Sequence, residues 1–62
     1  MKSYEVLRKL MFDKKIRKAD VIRGAKVSRP TLDKWEKGEE PSLATMRKVA
    51  RFFGVDVKVF IQ

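Results

Sequence analysis

The stretch SRPTLDKWEKG, Ser28 to Gly38, decides how this chain folds. Ser28 is a good N-cap, because its hydroxyl can accept a hydrogen bond from one of the free N–H groups that open a helix. Pro30 falls in the first turn, where a missing N–H costs nothing. Gly38 can take the left-handed backbone that stops a helix. Between these signals lies one short helix. Leu32 and Trp35, three apart, face inward. Arg29, Pro30, Asp33 and Lys34 are left facing out. A helix short enough for a major groove, with Arg and Lys on its free face in a chain of net charge +8, points to nucleic acid.

The bounds agree. Sixty-two residues make one small domain, 1–62, with one modest core. There is no cysteine and no histidine, so disulfides, thiolate metal sites and the usual general bases are excluded. No cofactor, metal or small-molecule ligand is expected, and packing alone must hold the fold. No apolar run exceeds three residues, so neither a signal peptide nor a membrane span is expected and a cytoplasmic protein is the natural reading. Sixteen basic against eight acidic residues is too charged for a neutral scaffold, yet 44% hydrophobic is too apolar for a disordered tail.

Outward from the deciding stretch, the periodicity predicts three more helices. The first runs from about Ser3 to Lys14. Ser3 can cap it, Glu5 suits its positive end, and Val6, Leu7, Leu10 and Met11 form its apolar stripe. Phe12 falls off that stripe and is either partly exposed or covered by another element. The second runs from about Lys18 to Ala25, with Ile16, Ala19 and Ile22 inward and Val21 and Ala25 as further candidates. Lys26-Val27-Ser28 is a tight turn into the third helix. After the Glu39-Glu40-Pro41 loop, Ser42 caps the fourth helix, whose buried face is Leu43, Met46, Val49, Ala50 and Phe53. Gly54 closes it. The tail, residues 55–62, alternates like a strand, while Asp56 is equally an N-cap for a final helical turn; a short helix is preferred.

A helix of about eight residues, a tight turn, and a second helix with Leu32 and Trp35 buried is a helix-turn-helix over about residues 18–37. The motifs LRKLM at Leu7–Met11, VSRPTLDKWEKG at Val27–Gly38, PSLATMRKVA at Pro41–Ala50 and FGVD at Phe53–Asp56 cover nearly the whole chain. Through them it resembles the Cro/C-repressor-type (XRE-like) helix-turn-helix domain of phage and bacterial regulators. The resemblance implies an all-α, compact, four- to five-helix lambda-repressor-like domain, the last segment being a short strand if the alternation wins. It implies a third helix lying in the major groove of double-stranded DNA, with Arg29, Pro30, Asp33 and Lys34 facing bases and Lys18, Ser28, Thr31 and Lys37 facing phosphate.

Several positions depart from the family pattern. Lys18 stands where glutamine is usual. Ile22 is large where a small residue is usual and Ala25 small where a larger one is common, a volume exchange. Lys26 stands where glycine supplies a positive φ, at a cost on the order of 1 kcal/mol. Glu39 and Glu40 replace residues that are often basic. The family's arginine partner for Glu36 falls at Met11, so Glu36 is expected to pair with another basic residue of the first helix, such as Arg8.

Each outward residue has a plain alternative. Arg29 reaches O6 and N7 of a guanine, clamps phosphate, or is simply solvated. Lys34 reaches a base edge or phosphate. Asp33 accepts from a cytosine amino group, orients Arg29 or Lys37, or makes a surface salt bridge. Pro30 touches a thymine methyl or only starts the helix. Trp35 is read as core. From Lys14 to Lys37 there are nine basic residues against three acids, a balance of +6 that is read as a phosphate-facing surface.

One such helix offers too few base contacts to find one site in a genome, so a homodimer is expected, formed in solution or only on DNA. Val57, Phe60 and Ile61 are the expected interface, against the plainer reading that they complete the monomer core. The leading functional reading is a repressor that occupies an operator inverted repeat. The alternative is an antitoxin or partner-binding module on the same fold, using Phe12 and the Glu39-Glu40 loop. An enzyme is not expected: no nucleophile–base pair, phosphate-binding glycine loop or metal set is present.

Overall fold

The computed structural model describes residues 3–61. Its helices are α1 (Ser3–Lys14), α2 (Lys18–Ala25), α3 (Arg29–Glu36) and α4 (Leu43–Phe53), followed by a 3₁₀ turn, Val57–Phe60. No strand occurs among the described residues. The tail is therefore helical: Asp56 Oδ1 accepts from the Lys58 N–H at 2.9 Å and starts the turn. Gln62, the last residue of the alternation, lies outside the described residues.

Local chemistry sets most boundaries. Ser28 Oγ accepts from the Thr31 N–H at 3.3 Å and Ser42 Oγ from the Thr45 N–H at 3.2 Å, so α3 and α4 are capped as their sequences require. Gly38 (φ 104°) and Gly54 (φ 72°) supply the positive φ that turns the chain out of each helix. α1 and α2 end the same way without glycine, on Lys15 (φ 57°) and Lys26 (φ 59°). At the end of α1 the Ile16 N–H reaches back to the Met11 carbonyl at 2.8 Å. That bond satisfies a carbonyl the helix leaves open and helps hold Lys15 in its left-handed conformation.

Three local expectations need correction. Ser3 is not a cap but part of α1, buried, with its hydroxyl spent on side chains from other elements. On α2 the buried residues are Val21 and Ala25, while Ile16 and Ile22 are half-buried and Ala19 is exposed. The inward face is thus turned toward the i, i+4 pair that meets α4. Leu43 is 45% exposed, because it opens α4 one turn before the buried set Met46, Val49, Ala50 and Phe53.

The core centres on Trp35, 1% exposed, which α3 pushes between α1 and the tail. Its ring meets Tyr4 edge-on at 6.1 Å and Phe60 at 5.4 Å. Leu7, Val21, Leu32 and Val49 close around it with no exposure. Phe60 is 2% exposed, so its ring belongs to the monomer core rather than to a face between two copies. α2 packs on α4, and α1 and α4 both pack on the tail. This scaffold fixes the position of α3, which it grips by one side only.

Candidate nucleic-acid interface

α2, the Lys26–Ser28 turn and α3 form a helix-turn-helix. Lys26 takes φ 59° and ψ 48°, the left-handed conformation of a C-cap, and two residues later Ser28 opens α3. The turn is held from inside by buried Val27. Because Leu32 and Trp35 point into the core, the opposite side of α3 carries Arg29, Pro30 and Lys34, all exposed, and half-buried Asp33. Glu36 and Lys37, at the C-terminal end, are exposed as well. The base-facing set named from the sequence therefore shares one side of one helix.

The hydroxyls at the start of α3 are close together. Ser28 Oγ and Thr31 Oγ1 lie 2.8 Å apart, so one hydroxyl proton bridges them. Both hydroxyls lie at the positive end of α3.

Lys18, placed against phosphate by the resemblance, makes two internal ion pairs. Its Nζ is 2.9 Å from Glu36 Oε1 and 3.0 Å from Asp33 Oδ1, and its side chain is 26% exposed. The hydrogen bonds that the ammonium donates to Glu36 and, next in weight, to Asp33 raise its pKa above the ordinary 10.5. This corrects the expectation that Glu36 pairs with Arg8: the cation comes from the first residue of α2, not from α1. It also places Asp33 in an ion pair with Lys18 rather than with Arg29 or Lys37. The signal was present in the sequence as two departures that offset each other, an arginine position become Met11 and a glutamine position become Lys18.

The same pairing shapes the field. Between Lys14 and Lys37 all three acids are occupied, Asp33 and Glu36 by Lys18 and Asp20 by Arg23 at 2.7 Å. Lys14, Lys15, Arg17, Lys26, Arg29, Lys34 and Lys37 make no ion pair among the described residues. Glu39 and Glu40 line one shallow pocket with Thr31 and Lys34, beside this surface; Glu40 Oε2 accepts from Ser3 Oγ at 2.9 Å, and Ser3 Oγ accepts in turn from Trp35 Nε1 at 2.7 Å. The acidic loop is thereby tied to α1, and the indole N–H is satisfied inside the core. No group of acids that could hold a metal ion occurs among the described residues, and no helix is long and apolar enough to cross a membrane.

A scaffolded helix-turn-helix with a cation-rich outward side is the architecture of a DNA reader. The chain belongs to the Cro/C1-type HTH DNA-binding domain family, whose model matches residues 6–58. Comparison with curated proteins and with solved structures returned no match. The partner that family membership brings is double-stranded DNA, and the function is that of a DNA-binding regulator.

Proposed function

We propose that this protein is a sequence-specific repressor that lays α3 in the major groove and occupies an operator. The observation that carries the reading is the one-sided helix: Arg29, Pro30 and Lys34 are exposed while Leu32 and Trp35 anchor the other side. Arg29 takes O6 and N7 of a guanine, Lys34 a base edge or phosphate one turn on, and Pro30 a thymine methyl. Asp33 accepts from a base amino group. Ser28, Thr31 and Lys37 meet the flanking phosphates, and the unpaired cations around them add a sequence-independent attraction that weakens with salt.

Two copies then reach successive major grooves about 34 Å apart and read an inverted repeat. With Phe60 inside the core, the apolar surface left for that contact is half-buried Val57 with exposed Val59 and Ile61, the last at 49%. Repression follows from occupancy, by excluding polymerase from the operator.

The test is selection from a random duplex pool at about 150 mM salt, where nonspecific phosphate binding is weak. An enriched inverted repeat with half-sites about one turn apart is expected. Arg29→Ala should relax the preference at one base pair per half-site. No enrichment would refute the operator reading. It would favour the second reading, a partner-binding module of antitoxin type, which rests on Phe12 standing 83% exposed on α1.

A further inference from the structure

Among the described residues, Lys18 is the only cation given to two carboxylates that lie three residues apart on α3. We propose that Lys18 is a specificity-positioning residue: it grips Oδ1 of Asp33 from α2, so that Oδ2 is presented to accept from a base amino group, and it does not clamp phosphate. The inference rests on the operator reading above and assigns one of its residues a different task.

Three observations carry it. First, the ammonium is engaged at 2.9 Å and 3.0 Å by both acids at once, from a side chain that is largely covered. Moving it to phosphate would replace two charge-assisted bonds by one. It would also leave two neighbouring carboxylates bare beside the DNA backbone, where like charge is costly. Second, Asp33 retains an exposed edge, with 45% of its side chain open and Oδ2 without a hydrogen-bond partner among the described residues. An ionised carboxylate accepts only, so it suits the N4 amino group of cytosine and repels the acceptor edge of guanine. Third, Arg29 stands one helical turn before Asp33, where an internal ion pair would be natural. Lys18 takes Asp33 instead, which leaves the Arg29 guanidinium without a carboxylate partner among the described residues. One lysine thus neutralises an acid that would oppose binding, orients its free oxygen, and keeps the neighbouring arginine available.

The experiment measures binding of wild type, Lys18→Gln and Asp33→Asn to the duplex enriched by wild type and to duplexes carrying each single base-pair change, over a salt series. Folding is checked by circular dichroism. Asp33→Asn is expected to lose about tenfold discrimination at one base pair. Lys18→Gln is expected to lose discrimination at that same base pair, to keep it elsewhere, and to keep the slope of log K against log salt. Discrimination kept at that base pair, with the slope reduced by about 0.9, would make Lys18 a phosphate clamp and overturn the inference. If Lys18→Gln does not fold, Asp33→Asn/Glu36→Gln replaces it: Lys18 then has no carboxylate to hold. A slope increased by about 0.9 would show Lys18 captured by phosphate only when released, as expected here. An unchanged slope with discrimination intact would overturn the inference. Wild type enriching no sequence would instead remove the operator reading itself.

Discussion

Gly24→Ala separates local propensity from tertiary packing. Gly24 is an exposed residue within α2, and in such a place alanine is favoured over glycine by about 1 kcal/mol. The structure reverses the sign. A methyl group built on Gly24 overlaps the Phe52 ring of α4, lying 2.5 Å from its Cδ1 and 2.9 Å from its Cζ. The ring is half-buried and meets Phe53 edge-on at 5.1 Å. Displacing it forfeits part of the roughly 1.5–3 kcal/mol that burying a phenylalanine contributes, together with an aromatic contact of about 0.5–1.5 kcal/mol. A loss of about 2 kcal/mol against a gain of about 1 kcal/mol leaves Gly24→Ala destabilising by about 1 kcal/mol, a drop of about 4–8 °C in Tm for a domain of this size. The assay is a double-mutant cycle with Phe52→Ala, followed by thermal and urea denaturation. In the Phe52→Ala background the same Gly24→Ala change should stabilise by about 1 kcal/mol, a coupling of about 2 kcal/mol. Gly24→Ala raising Tm equally in both backgrounds would show that the Phe52 ring does not oppose the methyl group.

Other predictions concern the same scaffold. Lys26→Gly should raise Tm by a few degrees, because relief of the left-handed strain, about 1 kcal/mol, exceeds the extra entropy glycine brings to the unfolded chain; a lower Tm would contradict the role assigned to the turn. Ser3→Ala should cost about 1–3 kcal/mol in urea denaturation, since the buried Trp35 Nε1–H loses its acceptor; an unchanged midpoint would show that the bond adds nothing. Burial, with Glu36 next in weight, raises the Tyr4 phenol above 10.0, and the pairs with Glu36 and Asp33 raise Lys18 above 10.5. Both groups hold their protons more tightly when folded, so their contribution is complete below pH 10 and is lost as pH climbs through the raised values. Tm measured from pH 8 upward should stay level and then fall above about pH 10, and a rise there would contradict both shifts.

How much was legible follows from the range of each interaction. The helix boundaries were readable because caps and stops act within a turn. Ser28 and Ser42 each reach three residues along, Asp56 two, and Gly38 and Gly54 need only their own φ. The burial of Trp35 was readable from its spacing to Leu32. The role of Ser3 is not legible locally, because its bonding partners are 32 and 37 residues away. The buried face of α2 is not legible locally either, because periodicity leaves the direction of a short helix loose, and α4 sets it.

Short-range signals in the chain are enough to specify a small helix-turn-helix domain with an outward basic side on α3. Periodicity, caps and composition are properties of neighbouring residues, and the family motif repeats them over nearly the whole length. The fate of particular side chains emerges from the packed domain. It put Phe60 against Trp35 rather than at a surface, laid Phe52 over Gly24, and tied Glu40 to Ser3. It also delivered Lys18 to Asp33 and Glu36, across 15 and 18 residues of chain. The physical reason is common to all four. A residue's partner across the core depends on how helices are set against each other, and that arrangement arises from the packing of the whole domain rather than from any one stretch.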